Sequence, residues 1–329
     1  MSDTENNSDA NFISPIADIV TGIPEPVRKP LLKALGDLVG NIVDVPNAML
    51  QQVAQGIRDT TIARSKAAKV ISEASSKEAL ENSEVMKAAG NVFLPTNLRK
   101  EKNKLIVAQK AKRFLLEDPE LYTSEKTAEP EDDWMNYFSR FAEDASSEDL
   151  QNLFARILSG QILRPKSFSR STLRTVSELD QDIANDFLSA WSLSVGGAVD
   201  YSPFWQIGDG YHLRQRLVEA GLMYPNESSQ YLPSDEKKME LLGTQLFIWS
   251  PIEQDDAHLN VFYDQTCQMS WKSIEFTRIG KEIGSILPKP DYDNNILNAG
   301  KSLIGVGVHR VDFVKADQLH NIWSDGTFG

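Results

Sequence analysis

Between Trp134 and Trp191 the large apolar residues recur at helical spacing almost without interruption. Trp134, Tyr137, Phe138 and Phe141 make one aromatic face, and Leu150, Leu153, Phe154, Ile157 and Leu158 make the next. Leu173 and Val176 follow on a short helix, then Ile183, Phe187 and Trp191 on another. Faces this wide must be buried against other helices, so residues 134–195 are expected to form a compact helical domain. Its boundaries are marked chemically. Ser146 can cap the second helix, with Asp149 in its positive first turn, Gly160 loosens its end, Pro165 to Ser169 reads as a turn, and Asp180 caps the last helix.

The residues before this block follow a different pattern. After Pro24, Pro26 and Pro30, the residues Leu31, Leu35, Leu38, Ile42 and Val45 step by four and three, the narrow stripe of a helix lying against another helix. Gly36 and Gly40 beside the stripe would admit a second backbone, so it suits a subunit contact or a membrane surface as well as internal packing. The mixture of Lys33 with Asp37 and Asp44 on the polar side favours internal packing. Beyond Pro46 a stretch rich in Ala, Lys, Glu and Gln runs to Ala89 and predicts a long, largely exposed helix or helical hairpin. Asn91 to Asn97, with Pro95, predicts a break before a second helix from Leu98 to Glu117.

That second helix carries the strongest charge pattern. Residues 61–118 hold 12 basic and 7 acidic side chains, whereas residues 119–200 hold 7 and 15, against a net charge of −13 for the chain. The two segments therefore either face each other or serve separate partners. Arg99, Lys100, Lys102, Lys104, Lys110, Lys112 and Arg113 are the candidate partner-binding residues. The helix is expected to dock by Leu105, Ile106, Ala108 and Phe114 and to leave most of this charge in solvent. Without interleaved aromatic residues it does not resemble a platform for single-stranded bases.

Beyond Val195, Tyr211 to Ala220 reads as a helix that stops at Gly221. Leu246 to Trp249, Leu259 to Tyr263 and Ser270 to Phe276 read as strands, and Thr277 to Ile283 as a short helix. A further strand is expected within 296–314, followed by a frayed polar end. The fold class expected from the whole is mainly α. Residues 1–11 form a disordered tail, 12–117 a helical arm, 118–133 an acidic linker, 134–195 the helical domain and 196–329 a winged-helix-like α+β module.

Several of these residues carry a resemblance. Trp134 to Phe138, Asp149 to Gly160, Pro165 to Ser169 with Thr172 and Leu173, Leu98 to Ile106, and Phe276 to Ile283 resemble a bacterial domain-of-unknown-function family, the one numbered twenty-eight hundred and six. The resemblance implies no activity. Members tend to carry tryptophan, glutamate, glycine and arginine where this chain has Phe154, Gln161, Lys166 and Ser171, and the glutamate and arginine are best read as a structural pair or turn contact. Leu153 to Gly160 with the helix Leu173 to Leu179 is also similar to the abortive-infection alpha proteins of phage defence.

Catalytic groupings are not visible. The four histidines, His212, His258, His309 and His320, show no ligand spacing, and Asp255, Asp256 and His258 read as a solvated turn. Gly300-Lys301-Ser302 lacks the first glycine of a phosphate loop. Cys267, the only cysteine, has no partner for a disulfide and reads as a small half-buried side chain in a strand. No signal peptide or membrane span is legible, so the expected localisation is cytoplasmic. The expected function is a non-enzymatic interaction or regulatory protein without cofactor or metal. It would act with a protein partner or a second copy, in phage defence on the narrower reading. Nucleic-acid binding through the basic helix and the winged-helix-like end is the alternative, opposed by 17 acidic against 11 basic residues in 201–329. Peripheral membrane contact and an enzyme built from scattered residues such as His212 and His309 stand behind these.

Overall fold

The computed structural model describes residues 22–39, 83–118, 127–234, 239–240 and 245–326. The expectations for the N-terminal tail, for Gly40, Ile42 and Val45, for the Ala-rich stretch up to residue 82 and for residues 119–126 of the acidic linker lie outside them. The chain divides into two compact units, Met1–Ser177 and Glu178–Gly329.

The first unit is helical. It comprises α1 (Glu25–Val39), α2 (Ser83–Glu117), α3 (Asp132–Ala142), α4 (Glu148–Leu163) and α5 (Arg170–Glu178). The stripe Leu31, Leu35 and Leu38 is fully buried, and α1 packs on α3, α2 and α4, which assigns the stripe to internal packing. Pro30 stands inside α1. A proline cannot donate to the carbonyl four residues back, and that carbonyl, on Pro26, accepts instead from Thr127 Oγ1 at 3.1 Å. Helix α2 runs through 91–97 without the expected break. The cap of α4 is Ser147, one residue later than expected, and its hydroxyl accepts from the Leu150 amide at 3.3 Å. Trp134 stacks on Phe138, which meets Phe154 edge to face, and these rings form the centre of the unit.

The second unit overturns the mainly α reading. It contains α6 (Gln181–Ser192), β1 (Ser194–Val195), β2 (Ala198–Asp200), a 3₁₀ turn (Pro203–Trp205) and α7 (Gly208–Glu219). Strands β3 (Ser228–Tyr231), β4 (Met239–Glu240), β5 (Phe247–Trp249), β6 (Glu253–Gln254), β7 (Ala257–Tyr263) and β8 (Ser270–Glu275) follow, then α8 (Arg278–Gly284), α9 (Tyr292–Ser302), β9 (Val308–Lys315) and β10 (Gln318–Ser324). The described residues thus hold nine α-helices and two antiparallel sheets, a mixed α/β protein. One sheet has the order β1-β2-β8-β3; the other runs β10-β9-β7-β5-β4, with β6 on β7.

The expected small module of helix, hairpin and helix over 196–329 is corrected in the same way. The chain between β3 and β8 builds part of a second sheet rather than closing a simple hairpin. Ala257, Leu259, Val261 and Tyr263 alternate inward along β7, and Ile296, Ala299 and Leu303 of α9 share one core with them. Of residues 296–314, where a further strand was expected, the later part supplies it as β9, while the earlier part belongs to α9, capped by Asp291 accepting from the Asn294 amide at 3.2 Å. The polar end does not fray: β10 pairs with β9 along its length.

Candidate functional site

The turn after α4 shows what the family-like residues do. Gln161 is buried and its Oε1 accepts from the Phe168 amide at 3.1 Å, while Trp134 Nε1 donates to the Phe168 carbonyl at 2.8 Å. Both backbone groups of Phe168 are thereby satisfied inside the core. A Cβ on Gly160 would stand 2.8 Å from the Phe168 ring, so glycine there seats the ring. Lys166 takes φ +68°, a left-handed conformation natural to glycine. Ser171 is exposed. The turn is therefore a structural clamp.

The basic helix is largely answered from within its own unit. Lys100 Nζ lies 2.6 Å from Glu143 and 3.7 Å from Asp144, which raises its pKa through the hydrogen bond to Glu143. Lys110 reaches Asn152 Oδ1 at 2.8 Å and Glu148 at 3.3 Å. Lys104 is buried with Nζ 2.8 Å from Glu101. Asn103, also buried, donates to the Glu143 carbonyl at 2.9 Å. Arg113 is exposed, 3.9 Å from Glu117 and over the Phe114 ring at 4.9 Å, and Lys112 is half-buried. Arg99 and Lys102 point to solvent. Of the two alternatives for the basic and acidic segments, facing each other describes Lys100 and Lys110.

In the second unit a group that sequence reasoning missed assembles between the end of β2 and α7. The Asp200 carboxylate is largely buried and accepts from Trp271 Nε1 at 2.8 Å and Ser302 Oγ at 3.1 Å. Burial outweighs these donors and raises its pKa. One residue on, Tyr201 faces Arg214, whose guanidinium carbon lies 5.6 Å from the Tyr201 ring centroid and 5.6 Å from that of Tyr211. The 3₁₀ turn packs on the first turn of α7. A Cβ on Gly210 would stand 2.1 Å from the Phe204 carbonyl oxygen, so only glycine admits this approach. The same short segment leaves Phe204 49%, Ile207 77% and Tyr211 38% exposed. The available signal was Tyr211 and Arg214 at a spacing of three on one helix face, beside an aromatic turn.

The remaining candidates resolve into structural contacts. Asp255, at the tip between β6 and β7, bonds to Lys289 at 2.5 Å and to Gln254 at 2.9 Å, which lowers its pKa. Lys301 of the failed phosphate motif bonds to Asn298 at 3.0 Å within α9. Cys267 lies in the loop between β7 and β8 rather than in a strand, and burial raises its thiol pKa. His212 meets Tyr211 edge to face, and His309 is held between Asp264 and Asp325 at 2.9 and 2.7 Å. Among the described residues no group of three or more acidic, histidine or cysteine side chains is placed to hold a metal ion. None of the described helices is long and apolar enough to cross a membrane.

No curated protein and no solved structure matches the chain. Residues 114–208, which contain the clamp around Phe168 and end as α7 begins, match the protein family described as "Protein of unknown function (DUF2806)".

Proposed function

We propose that this chain is a non-enzymatic interaction protein whose contact surface is the segment from Tyr201 to Arg214. One observation carries the reading: Phe204 on the 3₁₀ turn, Ile207 just before α7 and Tyr211 in its first turn are all exposed where the turn packs closely on Gly210. Exposed aromatic and aliphatic side chains on a fixed backbone bind at low cost in conformational entropy, and such clusters mark protein contacts. The basic helix is the weaker candidate, since Lys100, Lys104 and Lys110 already have partners in their own unit.

The test is quantitative co-purification of the tagged full-length protein from its native host, comparing the wild type with Ile207→Asp and Lys102→Gln. Ile207→Asp is expected to remove a defined set of co-purifying proteins, and Lys102→Gln to leave it intact. An unchanged set with Ile207→Asp, or its loss with Lys102→Gln, contradicts the proposal.

A further inference from the structure

Arg214 is 8% exposed, and its Nε is sealed from solvent without a hydrogen-bond partner. Among the described residues no hydrogen bond or ion pair reaches its guanidinium, and its neighbours are the faces of Tyr201 and Tyr211. The contrast with the other arginines of this unit is direct. Arg216, two residues on, holds Asp186 at 2.6 Å, and Arg310 holds Asp312 at 2.7 Å. Two ring faces offset part of the lost hydration through their quadrupoles, but they accept none of the five N–H groups of the fork. A guanidinium with one N–H sealed and unpaired, set beside two rings, lacks an anion, and its planar fork fits one with two parallel oxygens.

The surroundings decide which anion. The segment from Tyr201 to Arg214 exposes the apolar side chains of Phe204 and Ile207 and the Tyr211 ring, and residues 201–329 carry 17 acidic against 11 basic side chains. Asp209 lies in the first turn of α7, and Asp182 and Asp186 lie on α6. Such a field repels a phosphate backbone with its closely spaced charges. It tolerates one carboxylate flanked by apolar groups. We infer that Arg214 is the anchor of a binding site for a single carboxylate between apolar side chains, presented by an otherwise apolar segment of a partner protein. This rests on the interaction surface proposed above and names the chemistry it selects.

The test follows the Arg214 Nε–H resonance of the full chain during titration with 3-phenylpropionate, the signal being identified by its loss in Arg214→Met. A saturable shift is expected, at least tenfold weaker with 3-phenylpropionamide and with inorganic phosphate. Arg214→Met should fold with an unchanged or higher Tm, since it removes a buried charge lacking an acidic partner. Absence of a saturable shift, an equal response to the amide, or tighter binding of phosphate or a single-stranded oligonucleotide overturns the inference. A Tm several degrees lower in Arg214→Met does so as well, by making the arginine a structural element. If the shift is absent while Ile207→Asp still removes the co-purifying proteins, the carboxylate anchor falls and the interaction surface stands.

Discussion

Lys166 pays a conformational cost that its neighbours do not require. At φ +68° a side chain is crowded by its own backbone, and the exposed contact with Glu131 at 3.5 Å offsets little of it. Lys166→Gly is expected to stabilise the first unit by about 0.5–1 kcal/mol in chemical denaturation; a loss of stability would show that the lysine contributes more than its backbone costs. His309 gives a pH dependence. Its pKa is raised above 6.5 by hydrogen bonds to Asp264 and then Asp325, and that of Asp264 is lowered by Thr266 and then His309. The raised histidine contributes stability that is complete below its unfolded pKa and lost as pH rises through its folded one. The lowered aspartate contributes stability above its unfolded pKa, lost as pH falls through its folded one. Between these limits His309 and Asp264 are both charged. Tm of the wild type should therefore fall from pH 6 towards pH 9 more than that of His309→Asn, and parallel profiles would contradict this assignment.

Among the elements, those with strong apolar periodicity were legible and those held by turn chemistry were not. Helices α4 and α6 and strands β5, β7 and β8 follow from the spacing of Phe154, Phe187, Trp249, Leu259 and Ile274. Strand β10 reads as a polar tail, Gln-Leu-His-Asn-Ile-Trp-Ser, and lies at a sheet edge where little is buried. It is reversed onto β9 by Ala316 and Asp317 at φ +46° and +62°, a two-residue turn that usually announces itself as Asn-Gly. Ala316→Asn with Asp317→Gly should stabilise the hairpin by about 1 kcal/mol, read as slower amide exchange along β9 and β10; unchanged or faster exchange would count against that turn type. Helix α2 hid its partners for another reason. Its lysines read as a solvated face because Glu143 and Glu148, which bind Lys100 and Lys110, belong to separate elements. Lys100→Gln with Lys110→Gln is thus expected to lower Tm, whereas Lys102→Gln leaves it unchanged. Equal Tm values would return all three lysines to solvent.

At the scale of the molecule, the sequence distinguished a helical first part from a later part with strands, but its mainly α class gave way to two units of different construction. The second sheet escaped because its strands are scattered over 239–324 and joined through α8 and α9, so alternation in any one run is too short to announce the whole. The surface from Tyr201 to Arg214 was illegible for a related reason: exposure of Ile207 and isolation of Arg214 are properties of the folded chain, not of residue types. The central claim is that a protein partner docks on this surface. A photoreactive benzoylphenylalanine placed at Ile207 or at Lys102 of the full-length chain, irradiated in the native host, tests it most directly. A discrete protein adduct is expected from position 207 and none from 102; adducts confined to 102, or nucleic acid captured from 207, would overturn the proposed function.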